Sequence, residues 1–208
     1  MRNWKKIVAS AFALFALADL PAHASAIGEI EQRFSTRTTY SCTTDLFTPL
    51  ASATDMAQLF GSGTKTVKLL RIYISYTTAS AANQCNTFYV IKRSTANSSG
   101  TPTTPTVIPV DSNNAAGTAV VKYYASGSNP TTGTTVGTLV VAPLVAATSA
   151  TSTSQPPQSG MFLVYDADQC GQTVVLRGTG EGVVINNNGA TLTGTSAKVS
   201  VTYVWTEE

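Results

Sequence analysis

Three carboxylates, on Asp166, Asp168 and Glu181, are the groups in this chain best suited to chemistry. Paired carboxylates cleave glycosidic bonds, one as the acid and the other as the base or nucleophile. Such an enzyme also needs a cleft lined with aromatic side chains, whereas Trp205 fits the core face of a predicted strand. We therefore interpret the three acids as solvated loop ends, with Glu181 facing Arg177 across a hairpin, and we expect no catalytic residue.

Imidazole chemistry would depend on the single histidine of the chain, His23. This residue lies in a segment that begins with basic residues, continues with an apolar run over 7–20 and ends in small residues, as a secretory signal peptide does. The apolar run is shorter than the roughly 20 residues that a membrane-spanning helix needs. We expect cleavage after Ala24 or Ala26, so the mature chain would lack the histidine of Ser-His-Asp and Cys-His catalysis.

The predicted leader changes the charge of the protein and sets its compartment. Removing residues 1–26 takes away three basic residues and one acidic residue from the 13 and 11 of the whole chain, which leaves ten of each. Nucleic acids and anionic membranes are bound mainly through accumulated positive charge. We therefore expect neither as a partner, and we expect the mature protein in the periplasm, at the cell surface or outside the cell.

Two further patterns suggest ligand sites but lack the order that such sites need. The Asp and Asn oxygens of residues 111–114 and 166–168 are of the kind that calcium binds, but their spacing matches no EF-hand. Asp and Asn clusters of this kind commonly form turns through their own side chains. Glycines 178, 180 and 182 resemble a phosphate-binding loop without the helix that should follow it. The sequence thus predicts no metal and no cofactor.

Three cysteines, Cys42, Cys85 and Cys170, remain in the mature chain. In an oxidising compartment we expect one disulfide and one leftover thiol, and no CxxC pattern indicates a zinc site. Spacing alone does not decide the pairing. We favour Cys85 with Cys170, because both lie in polar segments just before strands, where loops at one end of a sandwich meet. Cys42 would then be buried or would link subunits.

The elements that position these residues are predicted to be short strands. Apolar residues recur mostly with period two between turn-forming clusters, and no segment of residues 27–208 has sustained helical periodicity. The pattern predicts one all-β domain over 27–208, an antiparallel β-sandwich or jelly roll of about eight strands. The most regular strand covers 198–205, and a slip in the alternation within 66–76 predicts a β-bulge. Further strands are expected at 88–92, 119–124, 138–141, 161–165, 173–177 and 183–186.

From about Asp45 onward the chain resembles small β-sandwich structural proteins, of the decoration or fibre type, that are encoded in bacteriophage and prophage gene clusters. The resemblance rests on residues 92–97 and 111–113, the run from Val174 through Gly189, and the closing residues 205–207. It implies an assembly or decoration subunit without an active site to carry over. In this chain the resemblance comes with an added signal peptide.

These observations lead us to expect an exported, non-enzymatic structural protein that binds other copies of itself or other structural subunits of a surface or virion-like assembly. One alternative is a carbohydrate- or surface-binding module that uses its loops. A chaperone–usher pilin is a second alternative, although residues 27–40 lack the alternation of a donor strand. The candidate contact residues are Tyr73, Tyr89, Tyr123 and Tyr124: several on one face would favour sugar stacking, whereas burial or scatter would favour assembly.

Overall fold

The computed structural model describes residues 37–49, 54–78, 84–125, 129–146, 161–187 and 197–208. The predicted signal peptide at 1–26 lies outside this part, as does most of the Ser/Thr/Pro-rich segment at 146–159. Backbone contacts group Thr38–Glu208 into one unit.

Eleven strands and one helical turn make up the described residues. In chain order they are β1 Thr39–Thr43, β2 Asp55–Phe60, β3 Thr66–Thr77, β4 Gln84–Arg93, β5 Ile108–Pro109, β6 Val120–Tyr123, β7 Thr135–Ala146, β8 Met161–Asp166, α1 Ala167–Cys170, β9 Val174–Arg177, β10 Gly182–Asn186 and β11 Lys198–Glu207.

The strands form two antiparallel sheets. Sheet A has the order β5-β1-β11-β3-β8, with β9 also paired to β3, and sheet B has the order β6-β2-β10-β4-β7. Apolar side chains from both sheets join in one buried core, and the rings of Tyr76 in sheet A and Phe88 in sheet B meet edge to face. The all-β sandwich is confirmed, with eleven strands where about eight were expected.

The C-terminal strand β11 is central in sheet A. The alternation of core-facing and outward-facing residues predicted for 198–205 is confirmed. Val199, Val201, Tyr203 and Trp205 are fully buried, and the residues between them lie half-buried on the outer face. The predicted bulge is also confirmed. The register between β3 and β11 shifts at Leu70, so that Leu69 pairs with Trp205 and Arg71 with Val204.

The predicted hairpin between residues 173–177 and 183–186 is wrong. β9 pairs with β3 in sheet A, whereas β10 lies between β2 and β4 in sheet B, so the glycine-rich turn crosses from one sheet to the other. Gly178 adopts a φ of 75°, which favours glycine. A side chain at Gly61 would collide with the carbonyl oxygen of Gly178. The crossing therefore also requires a glycine at position 61, directly after β2.

Two strands at one side of the sandwich also differ from expectation. The segment 161–165 is apolar on both faces, which predicted a buried strand, but β8 is an edge strand and Met161 is 62% exposed. The segment 138–141 was expected to end at Pro143, but β7 continues through it to Ala146. A proline is tolerated there because β7 is the edge strand of sheet B.

Candidate functional site

The three acids that could do chemistry are held in structural roles. Asp166 caps α1 by accepting a hydrogen bond from the backbone N–H of Asp168 at 3.0 Å, and Arg71 lies 3.5 Å from both carboxylates. Glu181 accepts from the backbone N–H of Arg177 at 2.9 Å and so closes the crossing between the sheets. The expected contact with Arg177 therefore exists, but to its backbone and outside a hairpin.

Glu181 does not lie in one site with Asp166 and Asp168, which share Arg71. Asp166 pairs with Arg71 of β3. Arg177, whose backbone N–H binds Glu181, pairs with Thr66 at the start of β3. Within the described ranges no three His, Cys, Asp or Glu side chains group as metal ligands. Asp111 forms a turn, accepting from the N–H of Asn113 at 2.9 Å through its side chain.

The cysteines are free thiols in the structure, and no disulfide joins Cys85 to Cys170. Cys85 lies in β4, three residues before Phe88, whose ring contacts that of Tyr76 in β3. Cys170 is the last residue of α1, which follows Asp166, the residue of β8 that pairs with Arg71 in β3. Positions 71 and 76 of an extended strand are about 16 Å apart. A disulfide needs Cα atoms within about 7 Å, so the two residues do not lie at one end of the sandwich as the prediction required.

Cys42 is the buried thiol. Its Sγ donates to the carbonyl oxygen of Thr106 at 3.4 Å, and burial raises the pKa of the Cys42 thiol to about 11. The thiolate is the reactive form of cysteine, and the raised pKa keeps the Cys42 thiol protonated at neutral pH.

The four candidate contact tyrosines do not share a face. Tyr123 and Tyr124 are buried, which corrects the expectation that they are exposed, and the hydroxyl of Tyr123 donates to Asp45 at 2.9 Å. Tyr73 and Tyr89 are half-buried and lie on the outer faces of sheet A and sheet B respectively. No platform for stacking a sugar forms from these residues.

A buried ion pair, which sequence reasoning missed, connects the strands of sheet B. Arg93 donates to both carboxylate oxygens of Asp55, from Nη2 at 2.7 Å and from Nε at 3.1 Å. Asn186 donates to Asp55 at 2.6 Å, and Arg93 also reaches the carbonyl oxygen of Gly133 at 3.2 Å and the hydroxyl of Thr135. The network ties β2, β4, β10 and the start of β7 together.

A second buried carboxylate, Glu207, joins β11 to the segment before β6. It accepts from the backbone N–H of Thr118 and of Ala119 at 2.9 Å, from the Thr118 hydroxyl at 2.7 Å and from the Trp205 indole at 3.1 Å. Burial alone would raise the pKa of the Glu207 carboxyl, but these donors outweigh it and hold the pKa below the ordinary 4.5. Lys65 adds a cation at 3.7 Å.

The lowered pKa of Glu207 predicts a loss of stability in acid. A carboxyl with a lower pKa in the folded than in the unfolded state stabilises the fold above the unfolded value, and this stabilisation is lost as the pH falls through the folded value. We expect the free energy of unfolding to decrease below about pH 4.5 and Glu207→Gln to flatten this decrease. Urea unfolding from pH 7 to pH 2 tests this, with Glu208→Gln as control because Glu208 is exposed and pairs with Lys68. Equal slopes for Glu207→Gln and the parent would contradict it.

The edge strands β7 and β8 lie next to each other at one side of the sandwich, and both carry exposed apolar side chains. We call this the β7/β8 surface. Val141 lies beside Tyr89 on the outer face of sheet B, and Leu163 lies beside Tyr73 on the outer face of sheet A. The surface consists of Val136, Leu139, Val141, Val145, Met161 and Leu163.

The two strands of this surface carry a single charged residue. β7 has no charged residue among its 12, and in β8 only Asp166 is charged, at the end beside Arg71. A long apolar edge is a template for pairing with another chain. The surface is therefore the feature of the described residues that is best suited to binding a protein partner.

Comparisons with protein-family models, with curated proteins and with solved structures each gave no match. In the part of the chain that the structure describes, no helix has both the length and the apolar character to cross a membrane.

Proposed function

We propose that this chain is an exported, non-enzymatic structural protein, a subunit of a surface or virion-like assembly. The observation that carries the proposal is the β7/β8 surface, whose two edge strands expose six apolar side chains on the outer faces of both sheets and carry one charged residue, Asp166. Exposed apolar patches of this kind typically mark protein–protein contacts. The resemblance to phage structural proteins supports the same function.

The positions of the polar and aromatic residues favour assembly over the carbohydrate-binding alternative. Tyr73 and Tyr89 lie on opposite outer faces, and Tyr123 and Tyr124 are buried. Asp166 and Glu181 are both engaged in hydrogen bonds that shape their own loops. The residues able to contact sugar or do chemistry are thus dispersed.

The proposal predicts a defined multimer that depends on the β7/β8 surface. The full chain, expressed with export, is measured by size-exclusion chromatography with light scattering over a range of concentrations. We expect Val141→Lys or Leu163→Lys to weaken association at least tenfold, which corresponds to about 1.4 kcal/mol, because each buries a charge in an apolar contact.

Matched controls lie on the opposite side of the sandwich. Ile108→Lys in β5 and Val120→Lys in β6 change aliphatic residues that are 61% and 37% exposed, close to Val141 at 52% and Leu163 at 42%. We expect both controls to assemble like the parent. A parent that is monomeric at every concentration, or controls that dissociate as fully as Val141→Lys, would overturn the proposal.

A further inference from the structure

A long segment between β4 and β6 covers one side of the sandwich. Residues 103–119, which we call the strap, begin at the edge of sheet B, where Thr103 exchanges backbone hydrogen bonds of 2.9 and 3.0 Å with Tyr123. They continue to the edge of sheet A, where β5 pairs with β1. Ala119 is the one buried residue of the strap, and most of the others are exposed. Segments with few buried contacts open more easily than the sheets that they cover.

One carboxylate holds the end of the strap on β11. The backbone N–H groups of Thr118 and Ala119 and the hydroxyl of Thr118 all donate to Glu207, at 2.7 to 2.9 Å. Ser62, just after β2, extends the network, because its hydroxyl oxygen lies 2.7 Å from that of Thr118. The Thr118 hydroxyl gives its proton to the carboxylate, so Ser62 is the donor between the two hydroxyls. All of these hydrogen bonds are thus directed towards the negative charge of Glu207.

Uncharged groups of β1 contact the strap before that end. The hydroxyl of Tyr40 donates to the carbonyl oxygen of Ala115 at 3.1 Å, and the Sγ atom of Cys42 donates to that of Thr106 at 3.4 Å. Cys42 is 1% exposed. Because this buried thiol lies against the strap, its accessibility reports whether the strap is in place.

We infer that Glu207 is an acid-sensitive anchor: when its carboxylate takes up a proton, the strap leaves the sandwich while both sheets stay folded. A protonated carboxyl donates one hydrogen bond and accepts fewer, so the donors of Thr118 and Ala119 lose their common acceptor. The inference is independent of the proposed function, because the strap and the β7/β8 surface have no residue in common.

Lys65 is the cation that faces Glu207, with its Nζ atom 3.7 Å from the carboxylate, and β1 contributes the ring of Tyr40 beneath that ammonium group. Lys65 keeps its charge in acid, so it favours the anchored state until Glu207 is protonated. The pKa of Glu207 lies below 4.5, which places the opening at a pH lower than this value. Glu208 on the same strand and Asp111 on the strap also titrate in acid, and they provide the controls.

Thiol labelling measures the opening. In a Cys85→Ser/Cys170→Ser background Cys42 is the remaining thiol, and dithiodipyridine labels thiols in acid as well as at neutral pH. Dividing the rate by that of the urea-unfolded chain at the same pH removes the pH dependence of the reagent. We expect this ratio to rise at least tenfold from about pH 6 to pH 3, before the far-UV circular dichroism of the sheets changes.

Matched variants identify the group responsible. We expect the labelling ratio of Glu207→Gln to be independent of pH, because the amide does not titrate, and we expect Glu208→Gln and Asp111→Asn to follow the parent. A parent ratio that does not change with pH would overturn the inference. A Glu207→Gln variant whose ratio rises in acid as the parent's does would overturn it as well.

Hydrogen exchange of the unmodified chain needs no variant and decides the question if Glu207→Gln does not fold. We expect the amides of Thr118 and Ala119 to lose protection in acid before the amides at the centre of β11. Simultaneous loss of protection in the strap and in β11 would overturn the inference, since the strap would then open only with the whole fold.

Discussion

Replacing Trp205 by alanine is expected to lower the free energy of unfolding by about 3 to 5 kcal/mol, a large part of the stability of a domain. The side chain is fully buried, its ring stacks on that of Tyr40 with centroids 6.0 Å apart, and its indole N–H donates to Glu207. Alanine would leave a cavity at the centre of sheet A and remove a donor from a buried carboxylate. Thermal and urea unfolding measure the loss, which we expect to lower the melting temperature by roughly ten degrees.

Val204→Ala is the matched control for this substitution. Val204 is the adjacent residue of β11, but it lies half-buried on the outer face of sheet A. We expect it to change stability by less than about 1 kcal/mol. A Trp205→Ala variant that melts within about a degree of the parent would show that the packing of β11 is not as described.

Substituting Arg93 by methionine is expected to cost about 3 to 5 kcal/mol, because it leaves the carboxylate of Asp55 buried without its cation. Asp55 has no exposed surface, and Arg93 supplies two of its hydrogen bonds. The second substitution Asp55→Asn removes the orphaned charge. We therefore expect Asp55→Asn/Arg93→Met to be more stable than Arg93→Met alone, which a double-mutant cycle of urea unfolding measures.

The exposed pair of Lys68 and Glu208 sets the scale for this comparison. Solvent screens such a pair, and Glu208→Gln should cost no more than about 1 kcal/mol. Two outcomes would contradict this prediction: a cost of Arg93→Met no larger than this, or a double variant less stable than both single variants. Either would show that the Asp55 network does not contribute to the free energy of unfolding by neutralising a buried charge.

Strands with one buried face can be predicted from the sequence, whereas strands buried on both faces lack the alternation that would identify them. β11 alternates because its even positions from Lys198 to Val204 lie half-buried on the outer face of sheet A, so its core residues are recognisable. β2 and β10 are buried at every position. Their buried residues include Asp55, Gln58 and Asn186, whose polar side chains predict exposed positions from the sequence alone.

The candidate surface was harder to predict than the fold. An apolar run such as Met161–Tyr165 looks the same whether its strand is central or at an edge, because only the sheet order decides which side chains are covered. The hairpin predicted around Gly178 was wrong for the same reason, since glycine indicates a turn but not which strands it joins. The contact between Asp55 and Arg93 spans 38 positions and leaves no local signal.

The central place of β11 in sheet A also determines when the protein can fold. β1 pairs with β11 on one side and only with the two-residue β5 on the other, so an emerging chain has no adequate partner for β1 until residues 198–207 are available. Pairings so distant in sequence are slow to form, and a chain that lacks one stays open. Sheet A therefore completes only after synthesis has passed residue 207. Under the export that we propose, such a delay would keep the polypeptide in the extended state that a narrow translocation channel accepts.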